Sequence, residues 1–90
     1  MVEEKLAYRV ELSPRADRQF KKLNRAIQLR LAPKINSLAE NPRPGGVKKL
    51  EAKNDFYRIR VGDYRIVYQI NDKTLVVLVL TIAHRSDVYR

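Results

Sequence analysis

The chain has no cysteine, one histidine, three glycines and four prolines in 90 residues, and each scarcity excludes something. Without cysteine there is no disulfide framework, no thiol nucleophile and no cysteine-rich zinc site, so nothing ties the chain to an oxidising compartment. A lone histidine among scattered carboxylates gives no metal-ligand spacing, and three glycines make no phosphate-binding loop. No metal and no cofactor is expected. Long apolar runs are also missing: the longest, Leu75 to Leu80, is far too short to span a bilayer. The start, Met1-Val2-Glu3-Glu4-Lys5, is charged and lacks the apolar core of a signal peptide. The expectation is a soluble, cytoplasmic protein with no membrane partner.

Positive charge is what the chain has in excess. Nineteen Lys and Arg against ten Asp and Glu leave a formal charge of +9. Polyanions are the natural partners, because neutralising phosphates releases counterions and gives salt-dependent affinity for any nucleic acid. An acidic protein would serve as well. Ninety residues predict one domain, residues 1–90, burying roughly 60–65% of the surface of the unfolded chain.

Leu6, Tyr8, Val10 and Leu12 alternate with Ala7, Arg9 and Glu11, the period of a half-buried first strand. Ser13-Pro14 then suits a helix start, with a hydroxyl to cap free N–H groups and proline tolerated at the first helical position. Ala16, Phe20, Leu23 and Ile27 recur at helical spacing, while Arg15, Arg18, Lys21, Lys22 and Arg25 face away as a solvated basic row or, second, as a surface touching nucleic acid. Asn24-Arg25 is a break before a second helix from about Ala26 to Glu40, with Ile27, Leu31, Ile35 and Leu38 inward. Pro33 predicts a kink or restart there, since proline inside a helix costs ~3 kcal/mol. Asn41 to Gly46 is the one loop-like stretch. Val47-Lys48-Lys49-Leu50 leads onward and offers Lys48 and Lys49 as RNA contacts.

Gly62-Asp63 suits a two-residue hairpin turn between alternating runs. In that register Val61 faces Tyr64, Arg60 faces Arg65, Ile59 faces Ile66 and Arg58 faces Val67. One face is Tyr57, Ile59, Val61, Tyr64, Ile66, Tyr68 and Ile70, and the other carries Arg58, Arg60 and Arg65. Like charges directly opposed on a sheet are destabilising, so the crowding points to a bound anion, although strand arginines also serve as a plain solvated face. A short turn at Asn71 to Thr74 leads to an inner strand, Leu75 to Ile82, with Ile70 opposite Leu75 and Arg65 opposite Leu80. The tail, with His84, Arg85 and Tyr89, then emerges beside the Gly62 turn. The fold class is α+β: an antiparallel sheet of about four strands with two N-terminal helices on one face, in the order β-α-α-β-β-β.

Cleaving RNA through its own 2′-hydroxyl requires removal of that proton, protonation of the leaving oxygen and fixed positive charge around the phosphate. Arginine suits the last role and is a poor proton carrier. His84 and Tyr89 are the candidates for proton transfer. Each has a plainer reading: His84 as a surface residue, Tyr89 as a packing aromatic or a ring on which a base stacks.

Tyr57-Arg58-Ile59-Arg60, Gly62-Asp63-Tyr64-Arg65 and His84-Arg85-Ser86-Asp87-Val88-Tyr89 together resemble the RelE branch of the RelE/ParE toxin superfamily, over nearly the whole chain. The resemblance implies a toxin of a type II toxin–antitoxin system. Such a toxin is a metal-independent endoribonuclease that cuts mRNA in the ribosomal A site and is held inactive by a RelB-like antitoxin. It also implies that Arg58, Arg60 and Arg65 clamp the scissile phosphate, that Arg85 stabilises developing charge, and that Tyr89 orients the nucleotide or assists proton transfer. Arg58 and Arg60 stand where the best-known member has lysines, and Ala52 where many relatives have glycine. The alternatives are a ParE-like gyrase poison, which usually lacks the full arginine set and terminal tyrosine, and a toxin-like binding module without chemistry.

Overall fold

The computed structural model describes residues 7–50 and 55–88. Strand β1 (Arg9–Leu12) is followed by helix α1 (Pro14–Lys22), helix α2 (Arg25–Ser37) and a two-residue strand β2 (Lys48–Lys49). Strands β3 (Phe56–Val61), β4 (Tyr64–Asn71) and β5 (Val76–His84) then form a meander, closed by a short helix α3 (Arg85–Val88). The sheet order is β1-β5-β4-β3-β2.

Both long helices start where local chemistry permits. The Ser13 hydroxyl accepts from the Ala16 N–H at 3.1 Å and donates to the Leu80 carbonyl at 3.0 Å, so one side chain caps α1 and fastens it to β5. Asn24 caps α2 by accepting from the Ile27 N–H at 3.0 Å. Helix α2 runs through Pro33 without restarting. Pro33 has no N–H to offer the Leu29 carbonyl, and both residues are exposed, where water can serve it.

Leu31, Ile35 and Leu38 from the second helical stretch and Ala16 from α1 pack onto Tyr57, Ile59, Ile66, Tyr68, Ile70, Val77, Val79 and Ile82 of the sheet, all buried. Truncating Leu31 or Ile66 to Ala would open a void in that layer at a cost of about 2–5 kcal/mol. The expected inward hairpin face is the observed one: Tyr57, Ile59, Ile66, Tyr68 and Ile70 are buried, and Val61 and Tyr64 half-buried against them. The turn has the anticipated register, with Arg58 opposite Val67, Ile59 opposite Ile66, Arg60 opposite Arg65 and Val61 opposite Tyr64.

Three expectations about the sheet are corrected. It has five strands rather than about four, because Lys48 and Lys49 pair with Arg58 and Tyr57. It is mixed rather than antiparallel, because β1 runs parallel to β5, with Arg9 beside Val76 and Leu12 beside Val79. The last strand also pairs in a different register: Ile70 faces Val77, Arg65 faces Ala83 and Tyr64 faces His84. Two features cause that shift. The turn takes four residues, Asp72 to Leu75, because the Asn71 side chain accepts from the Lys73 and Thr74 N–H groups at 3.1 and 3.0 Å and Leu75 adopts a left-handed φ of 56°. A β-bulge beside Val67 and Tyr68 then adds Leu80 to β5 without a partner residue on β4.

Beyond Leu12, among the described residues, no strand lies beside the outer edge of β5, and α1 occupies the space. The Gln19 amide oxygen accepts from the Ile82 N–H at 2.7 Å, replacing a ladder bond. This blunts an edge that would otherwise invite another strand.

Candidate functional site

Strand alternation sorts the basic residues by face. Arg60 stands opposite Arg65, and Arg58 stands between Lys48 on one neighbouring strand and Val67 on the other. Lys48, Arg58, Arg60 and Arg65 therefore share the sheet face turned away from the helices. Arg58 and Arg65 are half-buried, and Arg60 and Lys48 are exposed. The Arg60 Nε–H donates to the Gly62 carbonyl at 3.2 Å, folding that side chain along the hairpin tip. Lys49 does not join them. It pairs with Tyr57, and its Nζ lies 5.9 Å from the Tyr57 ring centroid, on the opposite side of the sheet.

The tail reaches the same tip. The Arg85 N–H donates to the Asp63 carbonyl at 2.7 Å, so α3 begins directly on the hairpin turn and the exposed Arg85 sits at the end of the arginine row. His84 pairs with Tyr64, and the two rings meet edge to face at 5.3 Å and 85°. Both belong by alternation to the face opposite Arg65. The His84 Nδ1 accepts from the Ser86 N–H at 3.2 Å and lies 2.9 Å from the Ser86 hydroxyl, which leaves the ring proton of the neutral imidazole on Nε2. Tyr89 and Ala52 lie outside the described residues.

Three features were not anticipated from sequence. Arg30 of α2 lies under the hairpin turn: its guanidinium carbon is 3.4 Å from the position a Cβ on Gly62 would take, and Gly62 has φ of 58°. Nearby, a groove of about 450 Å³ lies between α2 and the tip, lined by Lys34, Gly45, Gly46, Ile59, Arg60 and Gly62. A larger groove of about 750 Å³ follows the outer edge of β5, between α1 and the last turns of the meander. No periodicity signals these, since each joins a helix to a strand end far along the chain.

At the other end of the sheet, Arg43 donates from Nη2 to the Asp72 carboxylate at 3.0 Å and from Nε to the Tyr57 hydroxyl at 3.1 Å. The Tyr8 hydroxyl donates to the same carboxylate at 2.6 Å. The Arg43 and Tyr8 hydrogen bonds hold the Asp72 carboxyl below the usual carboxylate range. Beneath them the buried Tyr68 hydroxyl donates to the Pro42 carbonyl at 2.7 Å. Burial, reinforced by the neighbouring Tyr57, pushes the Tyr68 phenol up to about 12. This cluster pins the loop before β2, and so sets where Lys48 enters the sheet.

Residues 10–89 match a family described as the ParE toxin of type II toxin–antitoxin systems, parDE. Among curated proteins, the chain is 34% identical over 88 residues to a putative RelE-like toxin protein of Escherichia coli, covering 93% of this chain and 92% of that one. It is 33% identical over 88 residues, with the same coverage, to the mRNA interferase toxin RelE of E. coli K12. Among solved structures, the archaeal RelE–RelB complex from Pyrococcus horikoshii superposes with a TM-score of 0.78 at 32% identity, over 87% of this chain and 94% of that one.

Proposed function

We propose that this chain, which belongs to the RelE/ParE toxin superfamily on its RelE side, is an mRNA-cleaving toxin that works on the ribosome and is restrained by a RelB-like antitoxin. One observation carries the reading: Arg60 faces Arg65 across the β3–β4 ladder, with Arg58 on the same face and Arg85 tied to the hairpin turn. Guanidinium groups gathered on one sheet face make a site that suits an anion. A backbone phosphate is such an anion.

In the reaction, the 2′-hydroxyl of the upstream nucleotide loses its proton and its oxygen bonds to phosphorus. The bond to the 5′ oxygen then breaks, and that oxygen takes up a proton. Charge accumulates on the phosphoryl oxygens at the crowded intermediate. Arg58, Arg60 and Arg65 hold those oxygens, and Arg85 faces the developing charge at the end of the row. Fixed guanidinium groups lower that barrier because they are already oriented when the charge appears. They do not carry protons. That work falls to Tyr89 or to the assembly of ribosome and transcript, while the Ser86 hydrogen bond and the opposite-face position of His84 favour Tyr89 over it. The reaction as written requires no metal ion.

The +9 charge suits both the ribosome and an acidic antitoxin. Purified protein added to translating ribosomes should produce cuts within the A-site codon, read by primer extension. Arg65→Ala and Arg85→Ala should each lower the rate about 10²–10³-fold, the usual cost of removing one transition-state donor, with unchanged circular dichroism. Intact mRNA together with inhibited gyrase supercoiling would overturn the reading in favour of the gyrase-poisoning branch.

A further inference from the structure

We infer that the groove along the outer edge of β5 is a nucleotide subsite, holding the base and phosphate next to the linkage gripped by the arginines. The inference rests on the RNA-cleaving reading above. The groove takes Arg15, Gln19, Lys22 and the apolar Leu23 from the α1 end, Tyr64 and Val67 from β4, and Thr81 to His84 from β5. Its volume, about 750 Å³, lies within the roughly 300–1,000 Å³ of small-ligand clefts.

Position comes first. Ala83 lines the groove and is the residue directly opposite Arg65, so the groove begins one strand away from the clamp. By alternation, Val67, Thr81 and Ala83 belong to the arginine face and Tyr64, Ile82 and His84 to the other. The groove therefore opens round the edge of β5, and a strand of RNA held on one face can continue into it without lifting off the protein.

The lining chemistry is that of a nucleotide. Two perpendicular half-buried rings, Tyr64 and His84, give an aromatic floor, and base stacking on such rings tolerates any sequence. The Gln19 amide oxygen is committed to the Ile82 N–H, which leaves its NH₂ group as a donor. The His84 Nδ1 is committed to Ser86, which leaves Nε2–H as another. Base carbonyls and ring nitrogens are the matching acceptors. Arg15 and Lys22, exposed on the rim, suit the phosphate that accompanies the base.

The test uses ribosomes programmed with mRNA whose attacking nucleotide carries a 2′-O-methyl group, which blocks cleavage, and a single 4-thiouridine on one side or the other of the target linkage. After irradiation with the full-length wild-type protein, the linked peptide is mapped by mass spectrometry. Attachment within residues 15–23 or 81–84 from one of the two positions is expected. In parallel, Arg15→Ser/Lys22→Ser should raise KM for unmodified programmed ribosomes about tenfold with kcat within twofold. Efficient cleavage of the unmodified mRNA combined with attachment only elsewhere, or with an unchanged KM, would overturn the subsite and leave the RNA-cleaving reading intact. No cleavage of the unmodified mRNA would overturn both. Protection of the groove by an antitoxin peptide, with no attachment to RNA, would assign it to the protein partner and likewise overturn the subsite.

Discussion

The backbone N–H of Arg85 is bonded to the carbonyl of Asp63 at 2.7 Å, so the last helix starts on the turn of the hairpin that carries the other arginines. Residues 22 positions apart in sequence are thereby held as neighbours through the main chain, whatever their side chains do. Arg85 gains its place beside Arg60 and Arg65 from this bond and from the nine-residue strand that leads up to it.

The opposed pair Arg60 and Arg65 should cost stability and supply activity. Arg60→Thr takes one of two like charges from directly opposed positions and places a β-branched residue on the strand. We expect a gain of about 0.2–1 kcal/mol in urea denaturation, together with a fall in mRNA cleavage of about 10²-fold. A variant that is both less stable and fully active would contradict the role given to this pair.

Glycine at the hairpin turn should be irreplaceable, and Gly45 in the preceding loop dispensable. Gly62 has φ of 58° with the Arg30 guanidinium 3.4 Å from any added Cβ, so Gly62→Ala should lose about 1–2 kcal/mol. Gly45 has nothing within 4 Å of an added Cβ, and Gly45→Ala should be neutral or stabilising by up to about 1 kcal/mol. Equal losses at the two sites would show that the turn geometry is not the cause.

Tyr68 should titrate late. Burial holds its phenol up to about 12, above the ordinary value near 10, so an absorbance titration should find one of the five tyrosines ionising well after the exposed ones. The folded pKa is the higher one. Its stabilising effect is therefore complete below about pH 10 and is lost as pH rises through about 12. Tyr68→Phe should abolish the late step, flatten that alkaline decline, and cost about 1–3 kcal/mol at neutral pH by orphaning the Pro42 carbonyl.

Asp72 should act at the other end of the pH scale. Its folded pKa is depressed by the Arg43 and Tyr8 hydrogen bonds. The contribution is thus present above the unfolded value near 4 and disappears as pH falls through the lower folded value. The stability difference between wild type and Asp72→Asn should be visible at pH 7 and shrink on acidification below about pH 4. A difference that stays constant from pH 7 to pH 2 would mean that the carboxylate charge is not what holds Arg43.

The hairpin was legible in the sequence because two short-range signals agreed: period-two alternation and a turn pair that accepts positive φ. That agreement is enough to say which arginines share a face. The final strand was not legible in the same detail. Its run from Leu75 to Leu80 is apolar throughout, so no alternation could set the register, and neither the Asn71 side-chain turn nor the bulge at Leu80 has a distinctive residue code. The parallel β1–β5 pair was hidden for another reason: pairing between residues 67 apart is a property of the whole topology. Arg30 and the β5 groove were invisible because side chains on a helix carry no label saying which loop they will meet.

Strand β1 has its strand partner, among the described residues, in β5, and so it waits for a strand made more than sixty residues later. Contacts of such long sequence separation form late in folding. Until the final strand is made, β1 has no neighbour, the edge that Ser13 and Gln19 fasten does not exist, and Arg85 has no turn to rest on. A chain arranged in this way completes its sheet and its arginine row together, in one late step rather than strand by strand.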